Sequence, residues 1–204
     1  MAGPPAHLIS VVELIPESYV ACLDLEAIFG RRAPLEVDLG CGDGSFLTAL
    51  AKQRPEHNFL GIERLVGRVR SATHKARILE NVRVLRMETS YAVRYLLPAG
   101  SVQTFHLLFP DPWPKRRHQR RRVVTSDFLS AIVAALASNG TLRVVTDQFD
   151  YFEQIRSLAQ ELSDLRVAGS NVENEFPDSA FERKFKRAGA AIHRLELRKT
   201  SPVT

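Results

Sequence analysis

Cysteine is nearly absent from this chain. Cys22 and Cys41 are the only two, too few for a disulfide framework or a four-cysteine zinc site, and they fit a reducing cytoplasm. Long apolar runs are missing too, since no stretch approaches the ~18 residues that a membrane-spanning helix needs. Met1 to His7 holds two prolines and no basic stretch leading into an apolar one, so no secretory signal is expected. The six histidines show no ligand spacing, and no metal is expected. Internal repeats are absent, and tryptophan occurs once, as Trp113.

Acidic character is present but masked. The formal charge is +5. Setting aside Lys115, Arg116, Arg117, Arg120, Arg121 and Arg122, the 28 basic residues fall to 22 against 23 acidic ones, a net of −1. The whole positive excess therefore sits in one segment, F-P-D-P-W-P-K-R-R-H-Q-R-R-R from Phe109 to Arg122. A carboxylate clamped between prolines, an indole face and a dense arginine cluster suit a cationic ligand, a stacking partner and phosphates respectively. The run from Lys115 through His118 to Arg122 is expected to grip an RNA backbone; the bland alternative is a solvated basic loop or a localisation signal.

Apolar β-rich runs alternate with helical patterns. Strands are expected at Leu35–Leu39, Asn58–Ile62, Val82–Met87, Val102–Phe109 and Thr141–Val145. Helices are expected near Ser45–Gln53, Val66–Leu79, Thr89–Leu97, Thr125–Ala137 and Phe149–Leu162. This alternation predicts βαβ units, a mostly parallel sheet and helices on both faces. Two last strand-like runs, Leu165–Ala168 and Ala191–Leu197, are joined by a polar loop rather than a helix, and are expected to pair antiparallel at the sheet edge. The chain reads as a short N-terminal segment, 1–34, and one domain, 35–200.

Ligands of open α/β sheets sit beyond the C-terminal strand ends. The first such end reads D-L-G-C-G-D-G, with Gly40, Gly42 and Gly44 spaced G-x-G-x-G. The dinucleotide pattern G-x-G-x-x-G would need glycine at Ser45, which weakens a nicotinamide oxidoreductase reading. Asp38, Glu63, Glu88 and Asp111 fall at or near the ends of four strands. Such a rim repels a dinucleotide's phosphates and attracts the sulfonium and ammonium of S-adenosylmethionine.

Together, D-L-G-C-G-D-G, G-I-E at 61–63, the P-D-P-W segment and V-T-D at 145–147 resemble the tRNA (guanine-N7)-methyltransferases, over most of the chain from Leu35 onward. The resemblance implies a Rossmann-like class I methyltransferase fold with a mostly parallel seven-stranded sheet and an antiparallel edge strand. It implies S-adenosyl-L-methionine as cofactor, contacted by Asp38, Glu63, Glu88 and Asp111, and a guanine in the variable loop of tRNA as target. Lys115 and Asp147 would contact RNA, and the Ser179-Ala180-Phe181-Glu182 loop would close over the target nucleotide. The family usually carries Asp where Glu88 stands and Thr where Ser179 stands.

Guanine N7 has an in-plane lone pair and no proton, so its methylation needs alignment and charge management rather than a general base. Asp111 is the expected catalytic residue. Asp147 fits either the guanine edge, accepting from N1–H and N2–H₂, or an N-cap for the following helix. Trp113 fits either base stacking or sealing of the site, while His106 reads as a satisfied core residue. The competing functional reading is a non-catalytic RNA-binding protein on a methyltransferase fold. A monomer and a homodimer are equally compatible with the sequence.

Overall fold

The computed structural model describes residues 12–168 and 176–200; residues 1–11 of the expected N-terminal segment lie outside the described residues. Among the described residues eight strands form one sheet: β1 (Glu13–Leu14), β2 (Leu35–Leu39), β3 (Asn58–Glu63), β4 (Val82–Arg86), β5 (Val102–Leu108), β6 (Leu136–Thr146), β7 (Leu165–Ala168) and β8 (His193–Lys199). Their spatial order is β1-β4-β3-β2-β5-β6-β8-β7. Pairing is parallel from β1 to β6, whereas β8 runs antiparallel to both β6 and β7. The expected α/β architecture and antiparallel edge are therefore present. The strand beyond the expected seven is β1, two residues too short to show a β pattern in sequence.

β2 and β3 are buried along their whole length, as parallel strands sandwiched between helix layers must be. On one side α2 (Ser45–Gln53) and α3 (Val66–Ala76) set Phe46, Leu47, Leu50 and Val69 against Phe59 and Val84. A second cluster joins α5 (Ser126–Ala135) and α6 (Phe149–Gln160) to Phe105, Leu107 and Val144. The sheet reverses its winding between β2 and β5, so the C-terminal ends of these two strands frame the crevice where such folds take ligands.

Three expectations on the elements change. The helix expected over Thr89–Leu97 is one α turn, α4 (Thr89–Tyr91), running into a π-helical turn, Ala92–Leu96. Leu97 precedes Pro98 and is extended, as the proline ring demands of its neighbour. The fifth strand starts earlier than Thr141, at Leu136, with an irregular register before Thr141 where Asn139 takes a φ of 60°.

The polar connection between the last two strands is not all loop: Ala180–Arg187 forms α7. A further short helix, α1 (Leu25–Phe29), lies in the expected N-terminal segment. Ser179 caps α7 by accepting from the Glu182 backbone N–H at 3.1 Å, and Phe181 and Phe185 stack one turn apart. Serine followed three residues later by glutamate is the spacing of a capping box.

Candidate active site

The Phe109–Arg122 segment leaves β5 under strain and is tied down at both ends. Phe109 and Trp113 have φ of 50° and 40°, values bulky residues adopt only when their surroundings impose them. The Phe109 N–H donates to the Val145 carbonyl at 2.7 Å. Its ring stacks on Phe185 at 5.2 Å, 28° from parallel, and also meets Phe181. At the far end Arg122 is buried. Its Nε donates to the Pro112 carbonyl at 2.7 Å, and its other nitrogens reach Gln154 and Asp150 on α6. This corrects the reading of the basic run at one position: Arg122 is enclosed and paired, and faces no solvent phosphate.

Between the two anchors, Asp111 is exposed, and among the described residues its carboxylate has no hydrogen-bond or ion-pair partner. Gly40, Glu63, Glu88, Asp111, Trp113 and Arg121 all line one cavity of about 420 Å³. It lies at the C-terminal ends of β2, β3, β4 and β5, where the acidic strand ends of the sequence converge. Gly40 turns there with φ 79°, and a Cβ at that point would meet nothing within 4 Å.

The acidic groups differ in how they are held. Glu63 is buried and accepts three backbone N–H groups: Gly42 at 3.1 Å, and Arg64 and Leu65 at 2.9 Å each. These contacts fill three of about four lone-pair directions of the carboxylate, and Arg68, which lines the same cavity, approaches it at 3.8 Å. Glu88 caps α4 by accepting from the Tyr91 N–H at 2.8 Å. Asp38, expected to contact the donor, is buried at 3% exposure and is not among the residues that line the cavity. Burial, with the Glu63 charge second, pushes its carboxyl up to about 7.

Of the three glycines, only Gly40 lines the cavity. Gly42 feeds its N–H to Glu63, and Gly44 serves packing: a Cβ there would sit 2.7 Å from that of Ala72 on α3. Arg64, Leu65 and Thr89 also line the cavity and were missed. The signal for them is position alone, one to two residues past an acidic strand end.

The basic residues form a 3₁₀ turn, Arg116–Arg121, opened by Lys115. Lys115, Arg117, Arg120 and Arg121 are exposed. His118 meets the Trp113 ring edge-on at 5.9 Å, and Arg121 covers its face at 5.0 Å. The indole is thus clasped by the cationic turn.

Asp147 follows β6 but is not a helix cap. Gln148 holds that position, and the Asp147 carboxylate accepts from the Gln148 side-chain amide, at 2.7 Å. Ser179 and Glu182 are buried outside the cavity. Glu182 pairs with Arg194 at 2.5 Å, so the two reach the site only through α7, whose phenylalanines touch Phe109. The core reading of His106 holds: its Nε2 lies 2.7 Å from Glu36, which Arg54 and His57 also approach. Burial raises the Glu36 carboxyl, but its His106 and Arg54 contacts outweigh this and hold it at about 2. Among the described residues no cluster of His, Cys, Asp or Glu is arranged to hold a metal ion, and no helix is long and apolar enough to cross a membrane.

Comparison with known proteins places this chain among methyltransferases. A family model described as a putative methyltransferase matches residues 32–195. A tRNA (guanine-N(7)-)-methyltransferase of Leifsonia xyli subsp. xyli is 42% identical over 184 residues, spanning 86% of this chain and 81% of that protein. One of the same name from Alkalilimnicola ehrlichii is 38% identical, spanning 87% of this chain and 77% of its own length. Among solved structures, the antibiotic-resistance methyltransferase Kmr superposes with a TM-score of 0.63 over 93% of this chain and 96% of that one. At 17% identity, that likeness speaks to the fold alone.

Proposed function

The chain belongs to the tRNA (guanine-N7)-methyltransferase family, and on that premise we propose how its side chains divide the work of methylating N7 of a guanine in tRNA. S-adenosylmethionine, when bound, supplies an electrophilic methyl group on a cationic sulfonium. The cavity fits such a group in size. Its wall carries the carboxylates of Glu63, Glu88 and Asp111, and the Gly40 turn leaves room for close approach. Glu63 offers its remaining lone pair to a ribose hydroxyl, and Glu88 stands at the β4 end of the same wall.

The observation that carries the proposal is the state of Asp111: exposed, unpartnered among the described residues, opening on the cavity, and fixed between two anchored residues. It holds positive charge on the donor side and offsets the charge that moves onto the purine. A preset carboxylate does this without reorganising during the step. Guanine N7 has no proton to lose, and among the described residues no histidine lines the cavity. Lys115, Arg117, Arg120 and Arg121 hold tRNA phosphates, and Arg116 and His118 belong to the same turn. Asp147 reads the guanine edge. Ser179 and Glu182 act as positioning residues by holding α7 against Phe109. A tRNA substrate places the reaction in the cytoplasm.

The test is direct. The protein is incubated with labelled S-adenosylmethionine and unmodified tRNA, and the digested product is mapped by mass spectrometry. One N7-methylguanosine in tRNA is the expected product. Donor binding with no methylated guanosine in any tRNA would sink the proposal, and tRNA binding with no donor affinity would establish the non-catalytic alternative.

A further inference from the structure

A second aromatic group stands on the same rim as the cavity but outside it. Phe149, the first residue of α6, is 60% exposed. Its ring is stacked with Phe152 at 6.3 Å and lies 5.3 Å from the imidazole of His193; Phe152 and His193 are 5.4 Å apart. His193 opens β8 and pairs with Thr146, so the three rings gather at the C-terminal end of β6, beside Asp147. A large ring held rigidly with its outer surface in water is unfavourable for folding alone, because it forgoes burial of apolar area.

The surroundings identify an occupant. Asp150, the neighbour of Phe149, grips Arg122, which locks α6 to the end of the cationic turn carrying the exposed Arg117, Arg120 and Arg121. An aromatic surface adjoining such a turn is the combination that receives unpaired nucleobases: cations take the backbone, and the ring takes the face of a base. One mainly exposed phenylalanine is far smaller than the ~800 Å² per partner of a stable protein interface. We propose that Phe149, backed by Phe152 and His193, is a stacking platform for an unpaired nucleotide next to the target guanine in the tRNA. The inference rests on the tRNA reading above and extends it, because it gives the enzyme a second contact beyond the target base.

A tRNA transcript that the wild-type protein methylates is prepared with 2-aminopurine at either neighbour of the target guanine. The wild type should quench one of the two fluorophores on binding. Phe149→Ala should abolish that quenching and raise the tRNA Kd about 10-fold. Donor Kd should stay within about 2-fold and the Tm should fall by no more than a few degrees, since most of the ring is exposed. Phe149→Trp should restore both tRNA signals. Unaltered quenching and tRNA Kd in Phe149→Ala would overturn the platform. So would a shift in oligomeric state without a change in tRNA Kd, which would make this face a protein contact. A wild type that methylates no tRNA would instead defeat the functional proposal, a result visible before any variant is made.

Discussion

Two aspartates, Asp38 on β2 and Asp111 just beyond the end of the adjoining β5, meet opposite environments, and their expected behaviour differs accordingly. Asp111 is exposed and fixed by its backbone, so replacing it with asparagine preserves shape and removes charge. If that charge offsets the cation formed on the purine, Asp111→Asn should slow single-turnover methyl transfer by roughly 10²-fold or more. Rapid-quench assays should show this with tRNA Kd within about 2-fold of wild type. An equal loss in tRNA binding would mean that Asp111 serves RNA instead. Asp38 is buried, with its carboxyl pushed up to about 7 by burial and by Glu63. The folded state therefore holds a proton that the unfolded chain releases near its ordinary 3.8. Stability from this group is fully present below about pH 4 and is lost as pH rises through 7. Glu36, held at about 2, works in the other direction, and its contribution is lost only as pH falls below about 4.5. Between pH 5 and 8 Asp38 alone should lower unfolding free energy by up to about 3 kcal/mol. Denaturation of Asp38→Asn at both pH values should show that slope reduced; an unchanged slope would assign it to another group.

At the scale of elements, the anchoring of the Phe109–Arg122 segment governs how well Asp111 is placed. Arg122 joins the Pro112 carbonyl, Gln154 and Asp150 through one planar guanidinium that also lies 4.6 Å over the Tyr151 ring. Arg122→Ala should lower the Tm by several degrees, as loss of a buried network does, and should cut turnover. Arg122→Lys should fail to rescue it, because an ammonium cannot reproduce the forked geometry. Full rescue by lysine in thermal melts and activity assays would reduce the residue to a point charge. This element also marks where the sequence was legible and where it was not. The strands and the acidic ends at Glu63, Glu88 and Asp111 were readable, because alternating apolar runs and glycine turns are local signals. The burial of Arg122 was not, because it depends on α6 arriving from thirty residues onward. α7 escaped notice because only Phe181 and Phe185 give it an apolar face, although Ser179 and Glu182 had the capping spacing. Nor could spacing separate Gly40, which faces the cavity, from Gly44, which packs on Ala72.

Across the whole molecule, positive charge is concentrated at one edge of the cavity. Glu63, Glu88 and Asp111 line that cavity together with Arg64, Arg68 and Arg121, while the cationic turn beside it holds the protein's entire positive excess. Trp113 stands at the boundary, facing the cavity with Arg121 over its ring. That concentration makes salt a means of separating the two binding events. Each phosphate neutralised by a cation adds about 0.7–0.9 to the slope of log K against log salt. Arg117 and Arg120 are exposed and do not line the cavity. Replacing both with glutamine should lower the slope for tRNA by about 1.4–1.8 and leave donor Kd unchanged in calorimetry. Adding Arg121→Gln should lower the slope again and now weaken the donor as well, because that side chain lines the cavity as well as belonging to the turn. If all three substitutions flatten the salt slope while donor affinity never moves, Arg121 belongs to the RNA side alone, and the boundary runs between it and Trp113.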